Sequence, residues 1–64
     1  MLKKSFLLSQ YESWSRHGAD LEAQEKLLSG AKRAENRQWA ARSLVWREHY
    51  AKLLLDGYGL HVPR

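Results

Sequence analysis

Cysteine is missing from the 64 residues. No disulfide can therefore staple the chain, and three histidines with no thiolate make a poor basis for a structural zinc site. The absence also fits a reducing compartment. Isoleucine and threonine are missing too, and Val45 and Val62 are the only valines. A chain so poor in β-branched residues has little from which to build a sheet. The one proline is Pro63. Between residues 2 and 56, only Gly18 and Gly30 oppose helix. Long apolar runs are lacking as well. Phe6-Leu7-Leu8, behind Lys3 and Lys4, is shorter than the roughly 7–15 residues of a signal-peptide core. No stretch approaches the roughly 20 apolar residues of a membrane span. The expectation is a cytoplasmic protein with no membrane partner.

Leu, Ala, Glu, Lys, Arg and Gln, all good helix formers, dominate what is present. Trp14, Trp39, Trp46, Tyr11, Tyr50, Tyr58 and Phe6 supply core material, each worth roughly 150–250 Å² when buried. Such a supply argues against disorder. The length allows one domain, with a thin margin of stability. A small scaffold without disulfides or metal needs very good helix packing or a partner. Eleven Lys/Arg against seven Asp/Glu give a net charge of +4, a mild excess that favours polyanions only slightly.

The local signals predict a first helix over residues 2–17. Leu7, Tyr11 and Trp14 share one face at i, i+4, i+7 spacing. Gly18 is placed as a left-handed stop, and Asp20 as the N-cap of the next helix, with Glu22 in its first turn. A second helix then runs over residues 20–56, about 55 Å long, with Gly57 as its stop. Gly30 is the one place where it can break, with Ser29 capping a new helix. Lys32 and Arg33 would oppose the dipole of a helix starting there, so continuity is favoured. The expected fold is an all-α helical hairpin over residues 1–57 that assembles into a helical bundle. An extended tail follows over residues 58–64.

At about 100° per residue, residues 39–55 carry two apolar stripes. One holds Trp39, Trp46, Tyr50 and Leu53. The other holds Ala40, Leu44, Ala51 and Leu55, and Arg47 lies between them. Together they span roughly 200°, more than one short first helix can cover. An uncovered stripe would be an exposed apolar patch. The partner-binding candidates are therefore Trp39, Ala40, Leu44, Trp46, Tyr50, Ala51 and Leu55. The small residues of the second stripe make it the expected partner face. Residues 31–38 show no apolar stripe and read as a solvated or polar contact surface.

Catalysis finds no support in the pattern. His17, His49 and His61 follow no metal-ligand spacing, and Glu48-His49 is not the helical zinc-protease motif. The serines are scattered without a glycine elbow, and no glycine-rich phosphate loop is present. One short chain can hardly enclose a cleft of about 300–1,000 Å³. The expectation is a non-enzymatic module without cofactor, metal or small-molecule substrate. It would act by self-association or by binding a protein target. The alternative is a small basic nucleic-acid-binding regulator using Lys32, Arg33, Arg37, Arg42 and Arg47. Those residues are dispersed around the helix, and Glu35 and Glu48 interrupt them.

Overall fold

The turn between the helices lies at residues 26–29. The computed structural model describes residues 2–63 and shows two helices, α1 over Lys4–Glu25 and α2 over Gly30–Tyr58, folded back on each other as an all-α hairpin. No strand occurs among the described residues. The molecule is a rod of 42 × 16 × 14 Å.

The expected turn at Gly18 is corrected by this arrangement. Helix α1 continues through His17, Gly18 and Asp20, and the exposed Asp20 is an interior helix position rather than an N-cap. A glycine in a helix costs only about 1 kcal/mol relative to alanine. A turn at Gly18 would pair a short arm with one twice its length and leave half of the long arm wet. Arms of 22 and 29 residues can cover each other almost end to end. Gly18 also lies on the buried seam. A Cβ placed on it would meet the Cβ of Ser43 at 3.6 Å, so the two backbones approach closely there.

The expected continuity through Gly30 is corrected as well. The Leu27 and Leu28 N–H groups donate to the carbonyls of Gln24 and Glu25 at 2.9 and 3.2 Å, winding down α1. Gly30 then takes a left-handed conformation, φ 61°, which glycine adopts without steric cost. Ser29 occupies the N-cap position, but its side chain makes no capping bond. The first turn of α2 carries no acid. Its unfavourable basic start is offset by Glu25, at the end of α1, which pairs with Arg33 at 3.5 Å and with Arg37.

Helix α2 also runs past the expected stop at Gly57. It ends at Tyr58, and Gly59 is the left-handed residue, φ 65°. Gly59 N–H donates to Leu55 O at 2.9 Å and Leu60 N–H to Leu54 O at 3.2 Å. The chain thereby reverses, and the tail folds back on the hairpin with Leu60 and Val62 against the core. Arg64 of the expected tail lies outside the described residues.

The core is Leu7, Tyr11, Ala51 and Leu54, flanked by Leu8, Tyr50, Leu53, Leu60 and Val62. The seam between the helices has alternating four- and three-residue steps. On α1 it follows Leu7, Tyr11, Trp14, Gly18, Leu21 and Glu25, all buried or half-buried. On α2 it follows Asn36, Ala40, Ser43, Arg47, Tyr50 and Leu54, likewise buried or half-buried. This is the spacing that keeps two helices in register over several turns. Helix α1 therefore sits in the valley between the two apolar stripes of α2 rather than on one of them.

Candidate functional site

Because α1 lies in that valley, the two stripes emerge along opposite edges of the hairpin. One edge is aromatic and draws on both helices. Trp14 stacks on Trp46, with ring centroids 6.0 Å apart and planes at 16°. Trp46 stacks on Tyr50 at 6.2 Å, and Phe6 meets Tyr50 edge-on at 6.5 Å. His17 stands edge-on to Trp14, and His49 edge-on to Trp46. Further along α2, the Arg42 guanidinium lies 4.9 Å from the Trp39 ring centre, a cation–π contact. Phe6, Trp39 and Trp46 remain 43%, 45% and 45% exposed. Internal stacking fixes the rings without covering them.

The opposite edge is partly closed by the chain itself. Ala51 is buried, and Leu55 is half-buried beside Leu60, His61 and Val62 of the tail. The tail is tied down at its end, where the Pro63 carbonyl accepts from Tyr11 Oη and, at 3.0 Å, from Arg47 Nη2. Near the other terminus, Tyr58 Oη donates to Leu2 O at 2.5 Å. Of the stripe expected to face a partner, only Leu44, 52% exposed, and half-buried Ala40 stay open. Ala51 lies in the core and Leu55 beside the returning tail, rather than on an open partner face. They belong to the chain's own packing.

The seven partner-binding candidates thus divide. Trp39, Trp46 and Tyr50 lie on the aromatic edge, with Ala40, Leu44, Ala51 and Leu55 on the other. Sequence reasoning missed Phe6, His17 and His49 as members of the aromatic edge and grouped Trp14 only with Leu7 and Tyr11 on one face of the first helix. A signal was present. Trp39, Trp46 and Leu53 recur every seven residues, so these side chains lie in line along one face of α2.

The five basic candidates do not gather into one surface. Arg33 and Arg37 face Glu25, Arg42 lies on Trp39, and Arg47 turns inward to Pro63 and lies over the Tyr11 ring. Lys32 is exposed near the start of α2. The hydrogen bond from Arg37, followed by the charges of Arg37 and Arg33, holds the Glu25 carboxyl below the ordinary carboxylate range. The polar segment 31–38 contributes Asn36 to the interior, where its Nδ2 donates to Leu21 O at 2.7 Å. Among the described residues no three His, Asp or Glu side chains cluster as metal ligands, and no helix is long and apolar enough to cross a membrane.

The fold defines the class, an all-α helical hairpin with a returning tail. Comparison with protein families, with curated proteins and with solved structures gives no match for this chain. A functional reading therefore stands on the geometry of the two edges.

Proposed function

We propose that this chain is a non-enzymatic interaction module that works by docking its aromatic edge onto protein. One observation carries the reading: Phe6, Trp14, Trp46 and Tyr50 form a continuous set of ring contacts across both helices, while Phe6 and Trp46 stay more than two-fifths exposed. Tryptophan, tyrosine and arginine are the residues that dominate binding hot spots, and Trp39, Trp46, Tyr50 and Arg42 supply them on one edge. Rigid rings also lose little conformational entropy on docking. The nucleic-acid reading is disfavoured by the arginines. Four of the five basic candidates are engaged within the chain, and a phosphate would have to compete with Glu25 for two of them.

The test is capture from the native cell, with nuclease treatment, using tagged wild type beside two double variants. Trp39→Ala with Trp46→Ala should lose the captured protein, because hot-spot aromatics typically cost more than about 2 kcal/mol each. Arg33→Gln with Arg37→Gln should retain it. Capture that survives loss of both tryptophans, or disappears with nuclease, would refute the reading.

A further inference from the structure

The aromatic edge carries charge as well as rings, and the charge is arranged symmetrically. Along its stripe on α2, Trp39, Trp46 and Leu53 alternate with Glu35, Arg42, His49 and Asp56. Arg42 and Asp56 stand seven residues to either side of His49, about 10 Å away in each direction. Both are exposed. A two-fold axis through the His49 turn, perpendicular to α2, would bring Arg42 of one copy to Asp56 of another, and do so twice. The same operation lays the Trp46–Leu53 segment of one copy along that of the other. A single asymmetric target has no reason to need this arrangement, whereas an isologous contact requires each surface to complement itself.

We infer that the partner on the aromatic edge is a second copy of this chain, docked antiparallel through α2 to form a four-helix bundle. This deepens the docking reading above and rests on it. The overlap runs from about residue 40 to the end of α2 and includes Phe6 and Trp14 of α1 at its margin. The rod is 42 Å long and 16 Å wide, and only part of its length overlaps. The contact should therefore fall below the roughly 800 Å² per partner of a standard interface. Dimerisation should accordingly be reversible, with a dissociation constant on the order of micromolar. The second apolar stripe takes no part, because the tail already occupies its lower half.

Charge exchange tests the inference without touching the core, since both residues are exposed, and mixing the variants controls for loss of the Arg42–Trp39 contact. Sedimentation equilibrium at low salt would compare wild type, Arg42→Asp, Asp56→Arg and an equimolar mixture of the two variants. Wild type should dimerise. Each variant alone sets like charges together at two places and should dissociate about tenfold more readily. The mixture should recover wild-type affinity, because the mixed pair sets each introduced charge against its opposite. The inference is overturned by a wild type that stays monomeric at several hundred micromolar, by single variants that dimerise as wild type does, or by a mixture no tighter than its components. It is also overturned by a dimer that survives Trp46→Glu and dissociates with Leu44→Glu. A monomeric wild type that still captures protein through Trp39 and Trp46 removes the second copy and leaves the docking reading standing.

Discussion

Around Leu54 the two helices meet through apolar side chains, whereas around Asn36 they meet through hydrogen bonds, ion pairs and close backbone. At the first end Leu7 and Leu54 are almost wholly shielded, Ala51 fills the gap beside them, and the tail adds Leu60 and Val62. At the turn end the buried seam residues of α2 are Asn36 and Ser43, opposite Leu21 and Gly18. Apolar burial is worth roughly 25 cal/mol per Å². A hydrogen bond exchanged with water contributes only about 0.5–1.5 kcal/mol net. The same hairpin is thus firmly held at one end and specified, more than stabilised, at the other. Asn36 and Glu25 bring the two arms into register near a turn that has little apolar contact. The proposed docking edge overlaps mainly the firm end, where a rigid surface loses least on binding.

Breaking the firm end should have the largest effect. Leu54→Ala removes a side chain with no exposure and should cost about 2–5 kcal/mol. That is comparable to everything a core of this size supplies, roughly 3–5 kcal/mol. Circular dichroism at 25 °C should show most of the helix lost. A variant that melts within a few degrees of wild type would reverse the ranking of the two ends. At the turn end, Asn36→Ala removes the bond to Leu21 and should cost about 1–2 kcal/mol, read as a lower midpoint in urea. The register of the arms should loosen, seen as faster amide exchange in residues 20–36 than near Leu54.

The comparison can be sharpened by strengthening the weak end. Gly18→Ala adds a methyl at ordinary contact distance from Ser43 and removes a helix-interior glycine. It should stabilise by about 0.5–1 kcal/mol. A loss of stability would show that the backbones are closer than the 3.6 Å contact implies. The smallest effect belongs to Glu25. Its carboxyl titrates below the ordinary range because Arg37 and Arg33 favour the charged form. The stability it contributes is therefore present above the usual carboxylate pKa of about 4.3 and is lost as the pH falls through the lower folded value. Glu25→Gln should flatten this part of the pH–stability curve slightly, since the pair faces solvent and is screened.

The all-α class was legible in the scarcity of β-branched residues, and the hairpin in the few glycines at which a helix could stop. The position of the turn was not. Gly18 and Asp20 form a local stop-and-cap signal stronger than anything at residues 26–29, and local signals cannot register that equal arms bury more surface. The seam was hidden for a related reason. Asn36 lies at its turn end and Gly18, Ala40, Ser43 and Arg47 along its middle, and none of them raises an apolar periodicity. The two stripes on α2 follow directly from the helical spacing of its apolar residues. Their roles shifted because α1 docked between them, and because Leu60 and Val62 return in a tail that offers no periodic pattern. The aromatic edge was half legible: Trp39, Trp46 and Tyr50 stood out on α2, but Phe6 and His17 join it only through the pairing of the helices.

The most direct test of self-docking through the aromatic edge is a dilution series followed by NMR. The indole N–H signals of Trp14, Trp39 and Trp46 report one edge, and the methyl signals of Leu44 and Val62 report the other. From several hundred micromolar to a few micromolar, the Trp14 and Trp46 indole signals should shift together, Trp39 less because it lies at the margin of the overlap, while the Leu44 and Val62 methyls hold still. Indole signals that do not move, or Leu44 methyls that move in their place, would contradict docking of a second copy on this edge.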